Sequence, residues 1–149
     1  MQNFESTYTP RQFLAFIRNK KEEFWIQAGE KKALSIFHAA ARRVPAYKDF
    51  LKKNKISPSK IKTWADFQNV PLVDKQNYLR QYPLEMLHWD GKINRPMVFT
   101  STSGSTGDPF YFSRDHQLDW QYSILAQLFL ENSSYGTKKP ALVIVCFGM

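Results

Sequence analysis

The stretch that decides the fold is TSTSGSTGDP at positions 100–109, a run of hydroxylated residues and glycines that ends in Asp-Pro. The apolar triplets MVF at 97–99 and FYF at 110–112 flank it. Gly104 and Gly107 have no Cβ, so the backbone there can take positive φ and come close to a ligand. Successive backbone N–H groups in such a turn bind anions. The pattern predicts a phosphate-binding loop between two strands.

Two common glycine-rich loops do not fit this stretch. A P-loop needs Gly-Lys-Ser/Thr at the start of a helix, but no lysine follows Gly107, and Pro109 stands five positions after Gly104. A dinucleotide fingerprint joins a strand to a helix, whereas both flanks here are strand-like. A plain hairpin turn is also disfavoured, because ordinary hairpin loops have about two to five residues.

The segment resembles the phosphate loop of the adenylate-forming superfamily, Thr/Ser-Ser-Gly-Thr/Ser-Thr-Gly-x-Pro. Residues 102–109, TSGSTGDP, match it at every defined position. Many members have a lysine after the proline, whereas this chain has Phe110, as expected for the phenylacetate-CoA-ligase-like branch, which lacks that lysine. The runs AARRVPAY at 40–47 and FQNVPLVDK at 67–75 are similar to the N-terminal block of that branch, which includes proteins grouped with capsular-polysaccharide genes.

The resemblance implies a ligase that activates a carboxylate with ATP and passes the acyl group from an acyl-adenylate to a thiol such as coenzyme A. It implies that six residues hold the β- and γ-phosphates: Thr102, Ser103, Gly104, Ser105, Thr106 and Gly107. Ligands for Mg²⁺ are expected outside this chain, and no residue within it is assigned a catalytic or metal-binding role. Because such enzymes are several hundred residues long, we expect an N-terminal fragment that is inactive alone.

Composition favours a cytoplasmic globular protein. The 149 residues are 43% hydrophobic and 15% aromatic, which is enough apolar material for a core. The single cysteine, Cys146, lies in the apolar run 141–147, so no disulfide framework is expected. No run approaches the roughly twenty apolar residues of a membrane span, and the polar first residues lack a secretion signal. We therefore expect no membrane partner.

The net charge of +8 is distributed unevenly. Residues 1–62 contain fourteen Lys and Arg against five Asp and Glu, and residues 63–149 contain seven against eight. The cations are scattered over helix-like segments, which predicts a solvated outer face; a surface for an acidic partner or a polyphosphate is the alternative.

The element pattern predicts an α/β protein whose portion in this chain is α+β. We expect a helical layer over residues 1–91, with helices starting at Thr9-Pro10 and running to Gly29, then covering about 30–44 and 46–53. His38 is expected in the core. A capping box at Thr63 predicts another helix start, and 75–82 a short helix.

Residues 92–149 are predicted to begin a nucleotide-binding α/β subdomain that is incomplete in this chain. We expect 97–100 to pair with 110–113 as a hairpin. A long helix, capped by Ser113 or Asp115, should bury a stripe formed by Leu118, Tyr122, Leu125 and Phe129. Residues 141–147 should then form a buried strand, whose open edge favours a homodimer.

Two other interpretations stay open. The chain could be a stand-alone helical interaction or oligomerisation module without catalysis. The interpretation that we weigh least is a basic nucleic-acid binder that combines Lys and Arg with aromatic residues. Arg114 is a candidate phosphate contact, although an arginine at such a position more often lies on the surface without binding a ligand. His88 and His116 lack the spacing of a zinc site.

Overall fold

The computed structural model describes residues 9–102 and 108–133. Within them the fold is mixed α+β, which confirms the coarse prediction. The helices are α1 Pro10–Arg18, α2 Glu22–Arg43, α3 Pro45–Lys53, α4 Trp64–Phe67 and α5 His116–Glu131, and the strands are β1 Val98–Ser101 and β2 Tyr111–Arg114. In the same residues, 3-10 turns cover Pro58–Lys60, Leu79–Gln81, Leu84–Leu87 and Trp89–Gly91.

Contacts divide the chain into two units. One consists of residues 20–94, and the other combines residues 1–19 with 95–149. The predicted strand at 141–147, with Cys146, lies outside the described residues. Among the described residues, no helix has both the length and the apolar composition needed to cross a membrane.

The first helix starts where the sequence predicts but ends early. Thr9 Oγ1 accepts a hydrogen bond from Gln12 N at 3.3 Å, and Gln12 Oε1 accepts one from Thr9 N at 2.8 Å, a complete capping box. The predicted continuation to Gly29 is wrong, because α1 ends at Arg18 and α2 begins at Glu22. Gly29 lies inside α2, since one glycine costs a helix only about 1 kcal/mol.

The second helix stops at the predicted place. Val44 is extended, with φ −97° and ψ 110°, because Pro45 disfavours helical geometry in the residue before it. Pro45 then starts α3, as the proline fits the first helical position. The predicted helices over 30–44 and 46–53 are therefore confirmed near their C-terminal ends, although the first of them begins eight residues earlier.

Aromatic packing forms the core of the 20–94 unit. Its largest buried rings are Phe37, Phe50 and Tyr78, with Phe50 and Tyr78 meeting edge to face at 5.5 Å. Burial raises the pKa of Tyr78 to about 12. The prediction of a core histidine is wrong: His38 is exposed, because its neighbour Phe37 takes the buried position on α2.

Side-chain hydrogen bonds to the backbone shape the segment from 63 to 82. Thr63 Oγ1 accepts from Asp66 N, and Asp66 Oδ2 accepts from Thr63 N at 2.8 Å, which confirms the predicted start of α4. The predicted helix over 75–82 is reduced to turns and the 3-10 turn Leu79–Gln81. Asp74 Oδ1 accepts from the N–H groups of Gln76 and Asn77, both at 2.7 Å, as an N-cap does, yet turns follow instead of an α-helix.

Helix α5 begins at a predicted cap, but it buries a different face from the predicted one. Asp115 Oδ1 accepts from Leu118 N at 3.0 Å, so Asp115 rather than Ser113 is the cap. The predicted buried stripe is wrong for most of its length, since Tyr122 and Leu125 are exposed and Phe129 is 75% exposed. Leu128 is buried instead, because α5 packs on α1 and β2 through a different face.

Candidate functional site

The candidate loop is carried by an antiparallel hairpin. Strands β1 and β2 pair from Val98 with Arg114 to Ser101 with Tyr111. This confirms the predicted hairpin, with both strands one residue later than expected. Because the Ser101–Tyr111 pair is the last one before the loop, it fixes the direction in which the chain leaves and re-enters the sheet.

Two further hydrogen bonds close the base of the loop. The backbone N–H of Thr102 donates to the carbonyl of Phe110 at 2.9 Å, and the N–H of Phe110 donates to Oγ1 of Thr102 at 2.9 Å. Thr102 is therefore tied to the opposite side of the hairpin by its main chain and its side chain. Accepting a bond uses a lone pair of the hydroxyl and leaves its proton to be donated elsewhere.

Thr102 is the one predicted phosphate-binding residue within the described part of the chain. Ser103, Gly104, Ser105, Thr106 and Gly107 lie outside the described residues, so their arrangement stays a prediction. What the described residues supply is the frame: residues 102 and 110 face each other, and residues 103–109 connect them.

Arg114 does not lie at the loop. It pairs with Val98 at the opposite end of the hairpin, about 10 Å along the strand from Tyr111 at the usual rise per residue. Its Nε is 3.5 Å from Oδ1 of Asp119 in α5, and this buried nitrogen has no hydrogen-bond partner among the described residues. The arginine therefore belongs to the contact between β2 and α5.

The sequence interpretation missed an apolar groove in the 20–94 unit. The groove encloses about 470 Å³. Its lining combines aromatic residues with the extended segment that follows α4: Tyr47, Trp64, Phe67, Gln68, Val70, Pro71, Leu72 and Val73. The available signal was the apolar run VPLV at 70–73, in which Leu72 is 89% exposed. The lining has no carboxylate, imidazole or amine for proton transfer.

A polar cluster on α3 was also missed. The Tyr82 hydroxyl donates to Oδ2 of Asp49 at 2.8 Å, and Nζ of Lys53 lies 2.7 Å from the same oxygen. The hydrogen bond from Lys53, followed by that from Tyr82, lowers the pKa of Asp49. Desolvation, and then the bond to Asp49, raises the pKa of Tyr82, so its phenol stays protonated and is unsuited to act as a nucleophile.

The described residues contain no group of three or more His, Cys, Asp or Glu side chains that could hold a metal ion. Nδ1 of His88 lies 2.7 Å from the carbonyl oxygen of Leu84. His116 is exposed at the first position of α5.

Comparison with family models, with curated proteins and with solved structures finds no match to this chain. The likeness to the adenylate-forming superfamily therefore depends on the motif at 102–109 and on the similar runs before it.

Proposed function

We propose that residues 102–107 bind the β- and γ-phosphates of ATP, as part of an adenylate-forming ligase of the phenylacetate-CoA-ligase-like kind. The supporting observation is the place of the motif: it begins at Thr102, where two hydrogen bonds lock the base of a strand–loop–strand unit. A cytoplasmic location and a role in capsular-polysaccharide synthesis belong to the same proposal.

The chemistry suits such a loop. In adenylate formation a carboxylate oxygen attacks the α-phosphorus, and the bond to the bridging oxygen of pyrophosphate breaks. Transfers at phosphorus are catalysed mainly by positioning and charge stabilisation. Hydroxyl and backbone N–H donors can hold the departing pyrophosphate, each charge-assisted bond contributing about 1.5–3 kcal/mol.

Other groups complete the reaction in the proposed enzyme. Magnesium would neutralise phosphate charge when bound, and coenzyme A would accept the acyl group. The part that this proposal gives to the present chain is the donor loop.

Nucleotide binding to the full chain tests the proposal. By calorimetry, ATP and pyrophosphate should bind, whereas AMP should bind far more weakly because it lacks the β- and γ-phosphates. Replacing Ser105→Ala together with Thr106→Val should weaken ATP binding about tenfold or more, the equivalent of one lost charge-assisted bond.

The matched control is Ser35→Ala, at an exposed serine of α2, which should leave ATP binding unchanged. Equal affinity for AMP and ATP would contradict the proposal, as would full ATP binding by the double variant. Circular dichroism of each variant separates loss of binding from loss of fold.

Self-association through α5 is a second candidate function. It is favoured by the exposed apolar residues Tyr122, Leu125 and Phe129, which lie on one side of the helix. Sedimentation equilibrium should show a dimer that Leu125→Gln with Phe129→Gln converts to a monomer. Leu130→Gln, at an exposed position off that stripe, is the control. A monomer at every concentration would remove this candidate.

A further inference from the structure

Five cations of the 20–94 unit surround two carboxylates: Arg43, Lys48 and Lys92 are close enough to Asp90, and Lys52 and Lys53 close enough to Asp49, for their charges to lower the pKa of these groups. We name the group the basic strip and define it by Arg43, Lys48, Lys52, Lys53 and Lys92, with the indole of Trp89 beside them. All five cations are exposed. The sequence places them up to 49 positions apart, so the strip is a product of folding.

Helix α3 supplies three of the four lysines of the strip, Lys48, Lys52 and Lys53. Ala46, Phe50 and Leu51 bury one face of this helix. Lys48 and Lys52 are four residues apart on the opposite face, so their side chains are neighbours. The burial of one face therefore holds the lysines outward.

The turn Trp89–Gly91 fixes the other end of the strip. Arg43 donates to both carboxylate oxygens of Asp90, at 3.1 and 2.7 Å, and its guanidinium lies 5.1 Å from the centre of the Trp89 ring. Gly91 has φ 68°, and a Cβ there would lie 3.2 Å from Cγ of Pro45, the first residue of α3. This close approach sets the indole next to the start of α3.

The strip carries an excess of positive charge. Each of its two carboxylates already has a cation at 2.7 Å, Lys53 for Asp49 and Arg43 for Asp90. The bond from Arg43, together with the charges of Arg43, Lys92 and Lys48, lowers the pKa of Asp90. Among the described residues, no carboxylate lies within 4 Å of Lys48, Lys52 or Lys92.

We propose that the basic strip binds single-stranded nucleic acid, with the lysines on the phosphates and a base stacked on Trp89. Proteins that bind single strands combine a cationic track with aromatic stacking surfaces. Trp89 is 46% exposed, and this surface favours a nucleic acid over an acidic peptide, whose carboxylates would use only the cations. The strip shares no residue with the loop at 102–107, so failure of nucleic-acid binding would not count against nucleotide binding by the loop.

Salt dependence of binding is the first test. A labelled twelve-nucleotide oligo(dT) is titrated with the full chain at several salt concentrations. Three phosphate contacts predict a slope of log K against log salt of about −2. The triple variant Lys48→Gln, Lys52→Gln and Lys92→Gln should bring the slope near zero.

The matched control is Lys31→Gln, Lys32→Gln and Lys60→Gln, three exposed lysines outside the strip. It removes the same charge and should change the slope little. If both triple variants lose the slope equally, or if neither does, the strip is not the binding surface.

Stacking is tested at Trp89. Trp89→Leu should weaken oligo(dT) binding about 5- to 150-fold at constant salt slope, and Trp89→Phe should restore part of it. A labelled oligoglutamate of equal charge should bind more weakly than oligo(dT). Its affinity should be the same for Trp89→Leu, Trp89→Phe and the unsubstituted protein. If the peptide binds as tightly as the oligonucleotide, the proposal of a nucleic-acid site is overturned.

Discussion

The two units treat their apolar side chains differently. Residues 20–94 bury Phe37, Phe50 and Leu51 in one aromatic-rich core. Within the described part of 95–133, Phe99 and Phe112 on the hairpin and Phe129 on α5 are exposed. Since apolar burial is the main favourable contribution to folding, stability should reside mostly in the first unit. The first unit also exposes apolar side chains, such as Leu72, so the difference lies in the core: of the second unit's described residues, Leu128 is the one hydrophobic residue that is buried.

The largest expected effect is on the free energy of unfolding, when a buried and an exposed leucine are each truncated. Leu51 is 1% exposed in α3, and Leu51→Ala should lower the free energy of unfolding by about 2–5 kcal/mol. Leu125 is 57% exposed in α5, and Leu125→Ala should change it by less than about 0.5 kcal/mol. Urea denaturation of both variants measures the difference. Equal losses would mean that α5 is buried in solution, and the comparison would then fail.

An intermediate effect concerns alkaline pH. Burial raises the pKa of Tyr78 to about 12, so the folded state keeps the phenolic proton after the unfolded chain, near 10, has lost it. This contribution to stability is complete below pH 10 and falls as pH rises towards 12, by up to about 3 kcal/mol.

Tyr78→Phe should remove most of that alkaline loss, as followed by the urea midpoint at pH 8 and pH 11. Tyr122→Phe, at an exposed tyrosine of α5, is the control and should leave the pH dependence as it is. If Tyr78→Phe loses as much stability between pH 8 and pH 11 as the unsubstituted protein, another group causes the loss.

Local chemistry made part of the fold predictable. The helix starts at Thr9, Thr63 and Asp115 follow from side chains that cap the backbone three residues on, so a short window of sequence contains the whole interaction. The hairpin is equally local, because its two strands border one loop. The break after Arg18 was missed, since no proline or glycine marks it.

Burial and the basic strip could not be predicted in the same way. Periodicity shows that Leu118, Tyr122 and Leu125 share a helix face, but not whether anything covers it. The pairing of Arg43 with Asp90 joins residues 47 positions apart and depends on the turn that Gly91 permits. For the candidate loop, the sequence supplied the motif and the strands, and the bonds of Thr102 became visible in the structure.

The smallest expected effect on stability comes from removing a helix cap in each unit. Thr63→Ala and Asp115→Ala each remove a side chain that accepts a backbone hydrogen bond, a loss of about 1 kcal/mol. If the first unit is the more stable, Thr63→Ala should lower the global free energy of unfolding, because α4 packs on α2 within that core. Asp115→Ala should instead speed hydrogen exchange locally in the first turns of α5, with little change in global stability. Hydrogen exchange resolved by residue distinguishes the two, and a global effect of Asp115→Ala would show that α5 unfolds together with the core.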